Sequence, residues 1–305
     1  MTFSTDNHRG TVGIAFPGEM GAAVGRLLVA AGRRVVTTLE GRSARTAALC
    51  RDAGLDVLGT FGELVRSADV FISLVPPAAA LDVAGRYAAE IGDQAESAVF
   101  VDANSISPSA VRRIASLVAA RGVDVVDVAI HGLAARLADQ GTLYLSGPRA
   151  GDVEDLFSGA LRIKRLGDEI GAASAFKMLM AGMSKGFVGL FVEMAMVASE
   201  MGVLDELLAA YREYYPGIVS VVDRLLPTYP RHARRRADEL GELEETIESL
   251  GLEPRMICGA RRNIAAIGRL ALAERFHEQE QSGWSVADVL AKLHAQNPLR
   301  RLQTV

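Results

Sequence analysis

The chain has 305 residues, half of them hydrophobic and 23% charged, which supplies a substantial core and excludes a disordered chain. That length suits two domains better than one. A net charge of −4 and a pI near 5.8 offer no overall basic surface to nucleic acid, and the one basic run, Arg231, His232, Arg234, Arg235 and Arg236, is too short to change this.

The first ten residues, MTFSTDNHRG, are polar and hold no apolar signal core, so a cytoplasmic location is expected. Residues 11–16 predict a strand, 18–31 a helix with apolar residues at helical spacing, 34–39 a second strand and about 44–53 a second helix. Apolar strands are expected at 70–75 and 99–102, each ending in a polar or proline-rich turn. A helix at 108–121 and strands at 124–129, 142–146 and 162–166 complete the region. This alternation predicts a mostly parallel sheet covered on both faces.

After Gly167 the pattern is helical almost throughout, with punctuation at Pro216, Pro227, Pro230, Gly251 and Pro254. Two domains are therefore expected, 1–167 and an all-α domain at 168–305, ending in a short amphipathic helix after Gly283 and a polar tail. From Ala172 to Met201 the chain is nearly all apolar, yet Lys177, Lys185, Glu193 and Glu200 interrupt it. A membrane span would bear a large cost for each. The expectation is a long interdomain helix buried in protein and partly in a homodimer interface, with no membrane. Cys50 and Cys258 stand far apart in no metal-like spacing, which predicts reduced thiols and no metal site.

VGIAFPGEMGAAVGRLLVAAG lies between the first strand and the first helix, where a phosphate-binding turn belongs. A helix amino terminus offers unpaired N–H groups and partial positive charge to a pyrophosphate. Gly18 and Gly21 fill the second and third glycine roles. Phe16 stands where the first glycine would be, and Pro17 stiffens the turn. With the alternating pattern around it, this predicts a Rossmann-type NAD(P)-binding domain, its pyrophosphate held by Phe16, Pro17, Gly18, Glu19, Met20 and Gly21.

FPGEMG with AAVGRLLVAAG resembles the first turn of the 6-phosphogluconate dehydrogenase-like, or β-hydroxyacid dehydrogenase, superfamily. Four later segments agree in order: ISLVPPAAAL (72–81), VDANSISPSAVRRIA (101–115), DVAIHGLAARLADQGTLYLSG (127–147) and GAASAFKMLMAGMSKG (171–186). The resemblance covers about residues 10–200, and the closest branch is one with its own helical C-terminal domain. It implies that Val75, Pro76, Pro77, Asn104 and Ser105 lie along the nicotinamide side. Asn104 would also serve the substrate; for Asn104 and Ser105 the alternative is turn and capping chemistry before Pro108, and both roles are compatible.

The end of the second strand bears on the choice of nicotinamide. Glu40 suits a ribose 2′-hydroxyl, as in NAD, whereas Arg42 with Ser43 and Arg45 suits a 2′-phosphate, as in NADP; NADP(H) is expected.

Lys177 is the catalytic candidate, because the matching lysine of the resembling family exchanges a proton with the substrate oxygen. A lysine at its reference value of about 10.4 is a poor base at neutral pH, and burial or an oxidised nicotinamide would lower it. The alternative is a lysine snorkelling from an apolar helix. Lys185 is rotated by roughly 80° from Lys177, whereas Ser184 is nearly in line with it and joins the expected substrate site. Two positions depart from the family pattern. Ala181 replaces an asparagine, and His131-Gly132-Leu133 replaces Ser-Gly-Gly. His131 and Gly132 are expected to bind the substrate, His131 by holding an anion or acting as the acid, unless it is structural.

These features predict reversible hydride transfer between NADP(H) and a small, anionic hydroxy acid or keto acid, in a cleft between the domains. Imine reduction is a second reading, kept open by Ala181 and His131 and opposed by Lys177. A cofactor-binding protein without catalysis is the third.

Overall fold

β-Branched and apolar runs build one eight-stranded sheet in the computed structural model, which describes residues 10–92, 95, 97–276 and 283–299. The polar start and the ragged end expected from the sequence lie outside the described residues. The strands are β1 (Val12–Ala15), β2 (Val35–Thr38), β3 (Asp56–Leu58), β4 (Val70–Ser73), β5 (Val99–Asp102), β6 (Asp124–His131), β7 (Thr142–Ser146) and β8 (Arg162–Arg165). Their order is β3-β2-β1-β4-β5-β6-β7-β8, and every adjacent pair is parallel except β6 with β7. The expected α/β Rossmann domain is present.

Side chains alternate between two cores. Val12, Ile14, Val99 and Val101 face a layer containing Leu28 and Val24 of α1 (Glu19–Ala30), while Ala15, Val36, Phe71 and Phe100 face the other layer. That second layer includes α3 (Phe61–Ser67), α4 (Ala80–Glu90) and α5 (Pro108–Ala119), whereas α2 (Ala44–Asp52) follows β2. Two elements go beyond those expected from the sequence here: β3, three residues of which Asp56 and Val57 are exposed, and α3, a short helix set by the Thr60–Glu63 capping box. The short helices α6 (Leu137–Gln140) and α7 (Ala150–Phe157) flank β7.

The chain divides into two units, Met1–Lys177 and Met178–Val305. Helix α8 (Ala172–Glu200) starts in the first and continues into the second. There its face bearing Val188, Phe191, Val192 and Ala195 packs into a core with Val222, Leu226, Tyr229, Leu240, Ile264 and Leu293. The other helices of this unit are α9 (Leu204–Tyr214), α10 (Pro216–Leu225), α11 (Tyr229–Ser249), α12 (Arg255–Arg269), α13 (Leu272–Arg275) and α14 (Val286–Gln296).

The expectation of a buried α8 needs correction. By length and apolarity the helix could cross a membrane, and only 28% of its most apolar window is buried. Leu179, Met183, Leu190 and Val197 are each half exposed or more. Among the described residues these side chains remain uncovered because the apolar residues of the helix occupy more than one face.

Candidate active site

At the end of β1 the backbone turns sharply. Phe16 takes the left-handed conformation, φ 45°, that a glycine would adopt without strain. Pro17 is buried, and Gly18 forms the amino cap of α1 with no side chain bonding to the helix end. A Cβ on Gly18 would meet nothing within 4 Å, so the open helix terminus is bordered by free space. A Cβ on Gly21 would lie 2.9 Å from that of Pro17, which explains why this position is glycine: helix and turn are in direct contact. Unpaired amides, the helix dipole and an unobstructed approach fit a pyrophosphate.

Residues from four elements meet beside this turn. The Phe16 and Phe61 rings stack with centroids 5.6 Å apart. The Arg42 guanidinium lies 4.7 Å from the Phe16 centroid; that of Arg86, on α4, lies 5.5 Å from Phe16 and 4.3 Å from Phe61. Glu40 Oε2 accepts from the Phe61 amide at 3.3 Å and from Arg86 Nη2 at 3.5 Å. Ser43 caps α2, accepting from the Thr46 amide, and Arg45 pairs with Glu19 of the first turn of α1. Phe61 and Arg86 escaped the sequence reading. Neither is near Glu40 or Arg42 in sequence, and no local motif signals them.

The loops after β4 and β5 are tied together by Asn104. Its Oδ1 accepts from the Val75 amide at 2.7 Å, and its Nδ2 donates to Ser73 Oγ and Asp102 Oδ2, each at 3.0 Å. Asn104 is 2% exposed, and these bonds use both its N–H donors and engage its oxygen, so the side chain braces the loop that carries Val75, Pro76 and Pro77. Pro76 and Pro77 are exposed. Asp102, fully buried, is pushed up to about 6, mainly by desolvation, with the nearby Asp127 adding to the effect and hydrogen bonds from Asn104 opposing it.

Lys177 follows the first turn of α8, and that turn is anchored to the sheet. Asp127, fully buried on β6, accepts from Ser174 Oγ at 2.7 Å and from the Ser174 amide at 3.0 Å. Ser146 Oγ donates to Asp127 at 3.2 Å and accepts from the Ala173 amide at 3.0 Å. Two orphan amides of the helix start, those of Ala173 and Ser174, are thereby satisfied from β7 and β6. Burial raises the Asp127 carboxyl above its ordinary value, against the pull of these donors. Lys177 Nζ donates to Ser105 Oγ at 2.8 Å. Asp127, Ser146 and Ser174 were not singled out from the sequence, where an aspartate inside an apolar strand was the available signal.

Lys177, Ser105 and Asn104 thus belong to one connected region of the first unit. His131 is exposed at the end of β6, with Gly132 next at φ 139°, and among the described residues it makes no side-chain hydrogen bond. Ser184 lies in the second unit, its hydroxyl donating to the Met180 carbonyl at 3.2 Å. Lys185 is buried and pairs with Glu239 at 2.8 Å. Arg234 pairs with Glu274 at 3.0 Å, and Arg236 donates to Thr228 at 2.7 Å, so these cations serve the second unit's own packing. Cys50 and Cys258 are free thiols.

Residues 10–157 match the NAD binding domain of 6-phosphogluconate dehydrogenase, and residues 198–267 match a domain of unknown function, DUF1932. An uncharacterized 28.5 kDa protein in the 7S RNA 5′ region of Methanothermus fervidus is 30% identical over 224 residues, 73% of this chain and 85% of the relative. A solved conserved protein of unknown function, described as structurally similar to 3-hydroxyacid dehydrogenases, is 30% identical with a TM-score of 0.70, over 86% of this chain and 99% of that one. The 3-hydroxyisobutyrate dehydrogenase of Mycobacterium tuberculosis, solved with L-serine, shares the fold at 18% identity and a TM-score of 0.70, over 93% of this chain and 99% of the enzyme.

Proposed function

This chain belongs to the 6-phosphogluconate dehydrogenase-like superfamily, in the branch that joins the NAD-binding domain to a C-terminal domain of unknown function, and from that premise we propose that it is an NADP(H)-dependent oxidoreductase acting on a small anionic hydroxy acid or keto acid. The observation that carries the reading is the Lys177 to Ser105 hydrogen bond, which holds a primary amine against the loop after β5. A bound nicotinamide supplies or accepts the hydride. Lys177 then holds the proton that the substrate oxygen gains or loses, donating it as ammonium in the reductive direction. Ser105 fixes the amine, Asn104 fixes the loop beneath, and the open end of α1 receives the pyrophosphate. His131 and Gly132 are assigned to the substrate's anionic group.

The preference for NADP(H) rests on Arg42 and on Glu40, whose carboxylate is engaged by Phe61 and Arg86. A homodimer is part of the same proposal. Met183, Leu190 and Val197 recur every seven residues along α8, half exposed or more, as a continuous apolar stripe of the kind that pairs helices.

The test is absorbance-monitored turnover of NADPH with a panel of oxo acids, carbonyls and imines. Lys177→Ala is expected to lower kcat at least about 100-fold on the best substrate. Unchanged turnover in that variant would remove the lysine from the mechanism. Binding of NADPH with no turnover across the panel would favour the non-catalytic reading.

A further inference from the structure

We propose that Arg86 is the second cation of the ribose 2′-phosphate subsite, held with Arg42 around the Phe16–Phe61 ring stack. This rests on the NADP(H) reading above and adds a residue to it.

The geometry begins with the rings. Phe61 is 3% exposed and fixed, and Phe16 lies over it at an interplanar angle of 18°. Arg42 and Arg86 approach Phe16 at 4.7 and 5.5 Å, from the loop after β2 and from α4, and Arg86 is seated on Phe61 at 4.3 Å. A guanidinium stacked by its face keeps its N–H groups in the plane and available, already oriented, for a planar or tetrahedral oxyanion.

The charges do not cancel. Glu40 is the carboxylate at this cluster, and its contact with Arg86 is a single one of 3.5 Å between side chains 54% and 41% exposed, weak by that geometry. Among the described residues no carboxylate pairs with Arg42, and Arg45 is occupied by Glu19. One positive charge is therefore in excess where two guanidiniums lie within 5.5 Å of the Phe16 ring centroid, which suits a phosphate dianion. The bonds from the Phe61 amide and Arg86 both fall on Glu40 Oε2, at 3.3 and 3.5 Å.

The experiment titrates the full-length protein with NADPH, NADH, adenosine 2′,5′-bisphosphate and AMP, following nucleotide fluorescence and competition. Arg86→Gln is expected to weaken NADPH and the bisphosphate at least about tenfold and to leave NADH and AMP within about twofold. Arg86→Lys should fall between, with a larger loss at high salt. If Arg86→Gln keeps the wild-type preference, or weakens NADPH and NADH equally, Arg86 is no part of the subsite. Arg42→Gln, losing the preference in parallel, would then leave the NADP(H) reading intact. A wild-type protein that binds NADH as tightly as NADPH overturns that reading and this one together.

Discussion

Replacing Ser174 by alanine tests the anchor beneath Lys177. Ser174 is 4% exposed, and its hydroxyl supplies the shortest of the bonds to the buried Asp127 carboxylate, 2.7 Å. Alanine fills nearly the same space, so the change is one of bonding. A hydrogen bond to a buried charged group contributes about 1.5–3 kcal/mol, and its loss leaves Asp127 with the Ser174 amide, Ser146 and the Gly171 amide. The carboxyl is already raised by desolvation, and removing a donor raises it further. An acid raised in the folded state contributes stability that is complete at low pH and is lost as pH rises through its folded value. The deficit of Ser174→Ala should therefore approach about 1.5–3 kcal/mol where the carboxylate is ionised and shrink as pH falls through its raised folded value, because a protonated Asp127 no longer needs the donor. Urea denaturation followed by circular dichroism at several pH values measures it. A deficit that is independent of pH, or below about 0.5 kcal/mol throughout, refutes the charged anchor. Turnover supplies a second reading: kcat should fall while NADPH affinity is unchanged, because the α1 turn is untouched.

Phe16 sets two effects against each other. Phe16→Ala keeps the left-handed backbone and loses the ring, whereas Phe16→Gly loses the ring and relieves the strain; the glycine variant should be the more stable of the two by about 1 kcal/mol, the reverse of the order expected at an ordinary position. Thermal melts that rank alanine above glycine would contradict the strained turn. For Asp102, raised from 3.8 to about 6, stability should decline between about pH 4 and pH 7 by roughly 3 kcal/mol. Asp102→Asn should flatten that slope, and an unaltered slope in the variant would assign it elsewhere.

Much of the fold was legible because hydrophobic period and chain position act locally. β1, α1 and β2 follow one another with a helix period between two apolar runs, and the turn between them is written in contiguous residues. β3 and α3 were not, since three half-exposed residues and one capping box give little periodic signal. The site divides in the same way. Lys177, Ser105 and the 16–21 turn lie in recognisable segments. Arg86 and Phe61 matter only through a ring stack assembled from four elements, and Asp127 only because the register of β6 places it under the first turn of α8. Asn104 was read as a ligand from its place in the chain, while its bonds to Ser73, Val75 and Asp102 depend on two strands coming together. The length of α8 was readable, but not its exposure, because a helix apolar on several faces looks the same whether it is covered or bare.

The anchor of α8 has an evolutionary corollary. Asp127, Ser146, Ser174, Ser105 and Lys177 all belong to the first unit, which ends at the lysine itself. The Lys177 amine and the groups that fasten its helix therefore form one cassette with the half that matches the NAD-binding domain. A gene fusion made just beyond residue 177 would exchange the helical half while carrying the amine and its fastenings along unchanged. Such a seam would let the half carrying the C-terminal domain, which matches a family of its own, change without disturbing the Lys177 anchor.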